Sequence, residues 1–280
     1  MDKIKAFLKL YALYAKMDFF WLTQNRLFAV LSVSADILSN VAAISGVLLL
    51  AVRFGSIGGM NENEILFMLS YCTLVTGVFQ VFFSGNNTGH ISRRIGRGQL
   101  EHMLIQPLPL PVQLLTEGFL PFSGSGNLLA GIVIMATSVK RLEMNFTVRH
   151  AAMIAGHLLI TMIIILALSY LASTVTFFAP VQAEEISTFV IDSFGTLSEY
   201  PLSGMGIRIQ LPLLTVIPSG LMGWFQCLAI LGKPPLGLPE WYPALFAAAL
   251  SMAAAYFFRK GLKHYVNKGI NRYSAAGHRC

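Results

Sequence analysis

The stretch AAMIAGHLLITMIIILALSYLASTVTFF, residues 151–178, decides the fold, because its 28 residues include no Asp, Glu, Lys or Arg. At 1.5 Å per residue a helix of that length is roughly 42 Å long. That exceeds the roughly 30 Å hydrocarbon core of a bilayer, so such a helix tilts or projects beyond it. Backbone polar groups in hydrocarbon must bond within their own segment, and an α-helix is the form in which they do. The rest of the chain has the same character. Of its 280 residues 55% are hydrophobic and 12% charged, against about 45–50% and about 25% in soluble proteins, and the mean hydropathy is +0.64. An ordinary globular domain is excluded, and the chain reads as an all-α, polytopic integral membrane protein.

Five further apolar stretches flank this one: Leu27–Val52, Ile65–Phe83, Val112–Ser138, Ile207–Ile230 and Trp241–Phe258. Residues 27–258 therefore form a domain of six transmembrane helices. Glu117, Pro121 and the Ser123-Gly124-Ser125-Gly126-Asn127 run predict a break in the third span, and Pro212 and Pro218 predict one in the fifth. Residues 1–26 read as an interfacial amphipathic helix. Ile4, Phe7, Leu8 and Tyr11 recur at helical spacing while Lys3, Lys5, Lys9 and Lys16 take the other side, interrupting every apolar run that a signal peptide would need.

With the N-terminus in the cytoplasm, fifteen Lys and Arg lie on that side and five outside, which places both termini in the cytoplasm. The net charge of +7 is then mostly a matter of topology, and no nucleic-acid surface is read from it. Residues 259–280 form a basic cytoplasmic tail with six Lys/Arg and no acid. It serves as a topology anchor or as a contact for anionic membrane lipids at about 1 kcal/mol per near-surface charge. Cys72, Cys227 and Cys280 encode neither a disulfide framework nor a metal site.

The loop 84–111 is the most informative non-spanning segment. It sets Arg93, Arg94, Arg97 and Glu101 on a short helix hinged at Gly96 and Gly98, with Leu100, Leu104 and Leu108 at apolar spacing and Pro107 closing it. Residues 184–206 form a second such segment. Ile186, Phe189, Val190, Phe194 and Leu197 recur at helical spacing, with Glu184, Glu185, Asp192 and Glu199 elsewhere. This is either a second interfacial helix or a gating elbow, in which Tyr200, Pro201 and the Pro218 break pass movement into the fifth span, and its acids could meet basic residues of a partner or of the tail.

At these two places the sequence resembles the permease subunits of ABC type-2 transporters, within a branch whose permeases are commonly encoded in pairs beside one ATPase. The likeness is carried by the run from Arg97-Gly98 through Leu100 and Leu104 to Pro107-Leu108, and by Phe194, Glu199-Tyr200-Pro201-Leu202, Arg208 and Ile217-Pro218. What it implies is a coupling helix between spans 2 and 3 that carries Arg93, Arg94, Arg97, Gly98 and Glu101. The implied assembly has two copies of a separate ABC ATPase, which bind ATP and Mg²⁺, and a second copy of this permease or a paralogous one. The implied activity is export of a lipophilic or amphipathic substrate across the bacterial cytoplasmic membrane. This chain has no cofactor of its own and no nucleotide site: it lacks a G-x-x-x-x-G-K-[ST] loop, and Gly232-Lys233 is followed by Pro234-Pro235.

Polar residues within the spans are candidates for the pathway or for helix interfaces: Asp36 and Asn40, four apart in the first span, and Glu117 and Asn127 in the third. Two other function classes stand beside the transporter. A passive channel or structural membrane subunit would need no ATPase. An intramembrane enzyme would need a catalytic constellation, but the six histidines are scattered and no base stands opposite the Ser123–Asn127 run.

Overall fold

A computed structural model describes residues 2–54, 56–84 and 89–268. Those residues form twelve α-helices joined by turns, and no strand is among them. The helices are α1 (Asp2–Gln24), α2 (Arg26–Phe54), α3 (Glu62–Phe83), α4 (Ile91–Gly96), α5 (Gln99–Ile105), α6 (Leu110–Thr116), α7 (Gly126–Arg141), α8 (Val148–Ser173), α9 (Ile186–Ser198), α10 (Ile207–Thr215), α11 (Trp224–Ile230) and α12 (Tyr242–Lys268). Among the described residues, α3, α8 with its 3₁₀ extension to Phe177, and α12 are each long and apolar enough to cross a membrane. A fourth crossing is made if α10 and the segment Pro218–Ile230 count as one span bent by 73°. The 29-residue α2 covers the first predicted span.

The bundle is built around α3, which starts from a capping box in which Asn61 and Glu64 satisfy each other's backbone N–H groups. Its side chains are mostly buried, and it packs along α7 so closely that glycine is required at the crossing. A Cβ on Gly77 would lie 2.3 Å from the Leu128 amide nitrogen, and one on Gly131 would lie 2.8 Å from that of Leu74. Small residues at a crossing are how membrane helices gain van der Waals contact where no hydrophobic drive separates helix from lipid. The core gathers Phe67, Tyr71, Phe225 and Trp224 between α3, α8 and α11. Its polar groups are paired: Tyr71 Oη with Thr161 Oγ1 at 2.9 Å, and the His157 ring with Gln226, whose Nε2 donates to the Leu221 carbonyl.

Both predicted breaks are present, and one predicted boundary is not. The third predicted span is two helices, α6 and α7, separated by residues 117–125. Pro121 cannot continue a helix, and the freed amides of Phe122 and Ser123 are held by the Asp18 carboxylate of α1. The fifth is broken at Pro218, which opens a 3₁₀ turn. The division drawn at residue 259 between span and tail is not a structural one: α12 runs unbroken to Lys268, and Phe258 and Tyr265 are buried against Phe177. Residues 269–280 of the predicted tail lie outside the described residues.

Candidate functional site

All five residues that the sequence nominates in the loop after span 2 fall in one compact element, the α4–α5 pair. Gly98 joins the two helices with φ +73°, a left-handed conformation in which any L side chain is strained, and so lets α5 turn away at once. Beneath the pair lies a small core of its own. Ile91, Ile95, Leu100 and Met103 bury against Leu114, Phe177, Phe258 and Tyr265. The loop is therefore a packed body and not a charged tether.

The arginines lie on the opposite side, and each meets a carboxylate. Arg93 Nε donates to both carboxylate oxygens of Glu185 at 2.8 and 2.6 Å. Arg97 Nε donates to Glu184 Oε1 at 2.6 Å, and Arg94 Nη2 to Glu117 Oε2 at 3.1 Å. Between them Ser92 Oγ donates to the Glu184 carbonyl at 2.6 Å and accepts from the Ser187 amide at 3.1 Å. His90 Nδ1 and Thr188 Oγ1 are 3.0 Å apart. A Cβ on Gly96 would come within 2.9 Å of the Glu184 Cγ and the Pro180 carbonyl, so α4 sits directly on the start of α9. The Arg93 and Arg97 pairs face solvent, where ion pairs orient more than they stabilise. The buried Ser92 bonds and the apolar core supply the hold.

The second helix is fastened elsewhere. Tyr265 Oη, on α12, donates to Glu101 Oε1 at 3.0 Å. Gln113 Nε2 donates to the Met103 and Leu108 carbonyls at 2.9 and 2.7 Å, closing the far end of α5 onto α6. Thus α4 is clamped to α9, and α5 to α12 and α6, with Gly98 between.

The electrostatics follow from these contacts. Burial, with Arg93 nearby, holds the His90 imidazole below its ordinary range, which favours the neutral ring. The hydrogen bond from Arg93 holds the Glu185 carboxyl below the usual carboxylate range. Burial, with the charge of Glu117 adding to it, raises the Tyr14 phenol, as expected if α1 covers the Arg94–Glu117 pair.

The remaining nominated residues lie elsewhere. Tyr200 and Pro201 follow the far end of α9, the first exposed and the second buried, and Pro218 is buried at the 73° bend. The 13 residues of α9, about 20 Å, separate them from α4. The two groups are joined through that helix, which touches α4 at one end and the Pro218–Leu221 turn at the other. Glu117 is the partner of Arg94, and Asn127 Nδ2 donates to Gln80 Oε1 at 2.7 Å across the α3–α7 contact, so both serve helix interfaces. Asp36 and Asn40 fall within α2, their side chains outside the described set.

One sequence reading needs correction, one is refined, and three residues were passed over. Glu184 and Glu185, expected to face a partner or the tail, are occupied by Arg97 and Arg93. Leu100, Leu104 and Leu108, read as one apolar row, divide: Leu100 is fully buried, α5 ends at Ile105, the chain extends at Gln106, and Leu104 and Leu108 are left exposed. Ile105, which the sequence reading passed over, is 82% exposed. Ser92 and Tyr265 were likewise missed, since nothing local marks a serine whose partners lie 92 and 95 residues away or a tyrosine whose partner lies 164 away.

Apart from the His90–Thr188 contact, the arrangement brings no hydroxyl onto an imidazole among the described residues of the loop. It offers an exposed apolar tip on a braced body, which is suited to receiving and passing on a push. A family model described as "ABC-2 family transporter protein" matches residues 37–269. Comparison with curated proteins and with solved structures returned no match.

Proposed function

Because the chain belongs to the ABC-2 transporter family, and is thus a multi-pass membrane permease without a nucleotide-binding domain, we propose that it drives export by coupling to a separate ATPase through α4–α5. In this reading two ATPase subunits hydrolyse ATP on the cytoplasmic side, and two permeases, identical or paralogous, form the pathway. The six crossings are α2, α3, the broken α6–α7, α8, the broken α10–α11 and α12, with both termini cytoplasmic. The cargo is lipophilic or amphipathic.

The observation that supports the reading is the exposed apolar tip of α5. An isoleucine 82% exposed, with Leu104 and Leu108 at 41% and 40%, on a polar loop is the anchor that a partner's groove would cover. Movement there reaches the bundle along two routes: through the Arg93, Arg97 and Ser92 contacts into α9 and on to the Pro218 bend, and through Glu101 and Tyr265 into α12. The three arginines and Glu101 act in this scheme as internal couplers, which hold the loop to the spans while the tip meets the ATPase.

Purification from native membranes in mild detergent tests this. The chain is expected to carry a stoichiometric ATPase, and Ile105→Glu to lose it while retaining the thermal stability of the unaltered chain, because Ile105 is 82% exposed. An Ile105→Glu chain that keeps its ATPase and its coupled turnover overturns the docking site. A chain that purifies alone and still conducts returns the reading to a passive channel.

A further inference from the structure

A cavity of about 500 Å³ lies between the α4 end of α3, the length of α9 and the Pro218 turn, within the range of small-molecule sites. Val75, Phe79 and Ile165 give it an apolar side, and Thr76, Gln80 and Thr196 belong to a polar one of similar extent. Its carboxylates are Asp192 on α9 and Glu199 just past that helix's end, its imidazole is His90 at the start of α4, and among the described residues no Lys or Arg lines it. Asp192 and Glu199 are seven residues apart, two helical turns, and so share one face of α9.

These two carboxylates differ from their neighbours. Glu117, Glu184 and Glu185 each meet an arginine, and Glu101 meets the Tyr265 hydroxyl. Among the described residues neither Asp192 nor Glu199 forms an ion pair. His90 supplies little countercharge, since burial disfavours its charged form, and burial raises the Glu199 carboxyl with nothing nearby to lower it. A cavity of this size, part apolar and part polar in its walls, lined by two carboxylates and by no described Lys or Arg, selects its occupant by charge as well as by shape.

We propose that this cavity is the loading site of the transporter and that it takes a cationic amphiphile, an apolar body bearing one or two positive charges, which Asp192 and Glu199 neutralise. The proposal rests on the permease reading above and gives it a substrate class. Its position beside α9 sets the occupied site on the same helix that carries the coupling loop at one end and the Pro218 bend at the other.

The test uses the chain, with its co-purifying ATPase, in lipid nanodiscs titrated with tetraphenylphosphonium. Saturable binding is expected, weakened about tenfold or more in the Asp192→Asn/Glu199→Gln double variant, and unchanged in Glu143→Gln, an exposed loop acid away from the cavity. Tetraphenylborate, of the same shape and opposite charge, is expected neither to bind there nor to compete. Equal binding by the double variant, or equal binding of the anion, overturns the proposal. Absence of cation binding in a preparation whose ATPase is present and active also overturns it and leaves the permease reading standing. Absence of the ATPase removes that reading, while the charge dependence of binding to the chain alone still decides the cavity's ligand.

Discussion

A buried carboxylate with three hydrogen bonds fixes how α1 meets the bundle. Asp18 is 4% exposed and accepts from the Phe122 amide at 2.8 Å, the Ser123 amide at 3.1 Å and the Ser123 hydroxyl at 2.5 Å. Asp18→Ala leaves two part-buried amides without that acceptor and is expected to destabilise the protein by about 1 kcal/mol. Asp18→Asn, which keeps one acceptor oxygen, is expected to lose less. Thermal unfolding in detergent measures both, and an unshifted Asp18→Ala midpoint would show that the contact holds nothing. A second residue-scale expectation concerns Glu185, whose carboxyl Arg93 holds below its unfolded value. A depressed folded pKa means that the stabilisation is complete above the unfolded pKa and is lost as pH falls through the folded one. Amide protection in α4, taken relative to the intrinsic exchange rate at each pH, is therefore expected to fall as pH drops below the ordinary carboxylate range, and protection that stays flat through that window would remove the Arg93–Glu185 pair as a clamp. Neither contact was legible in the sequence: Asp18 and its partners are 104 and 105 residues apart and Arg93 and Glu185 are 92 apart, and no periodicity records such pairings.

At the scale of helices, the α3–α7 crossing makes opposite predictions for two glycines. Gly77→Ala forces a Cβ onto the Leu128 backbone and is expected to destabilise by about 1–3 kcal/mol. Gly156→Ala, on α8 with open space around it, is expected to be neutral or stabilising by up to about 1 kcal/mol, because alanine is the better helix former. Unfolding midpoints of the two variants should move apart, and a common response would mean that the crossing is looser than described. What the sequence does reveal well is the element itself. The uncharged 151–178 stretch is α8 and its extension, and the prolines and the Gly-Ser run foretell the interruptions around residues 117–125 and 218. The unbroken passage of α12 beyond residue 259 was hidden, because Arg259, Lys260 and Lys263 read as the start of a cytoplasmic tail. The buried residues that continue the helix, Gly261 and Tyr265, find their partners on other segments.

For the molecule as a whole, composition alone separates it from soluble proteins, and the distribution of Lys and Arg proposes its orientation. The assembly of its parts came only with the structure: a loop that reads as a row of arginines is a packed body with separate attachments on its two halves. That division has a mechanical meaning. With α4 fixed to α9 and α5 fixed to α12, a displacement at Ile105 acts as a torque about Gly98, with α9 as fulcrum and α12 as lever arm. At 1.5 Å per residue the 27 residues of α12 make an arm about 40 Å long, so a turn of about 5° at its root carries its far end about 3.5 Å. In the proposed coupling, a small swivel at the Tyr265 end of α12 would be geared up into a side-chain-sized displacement at its other end.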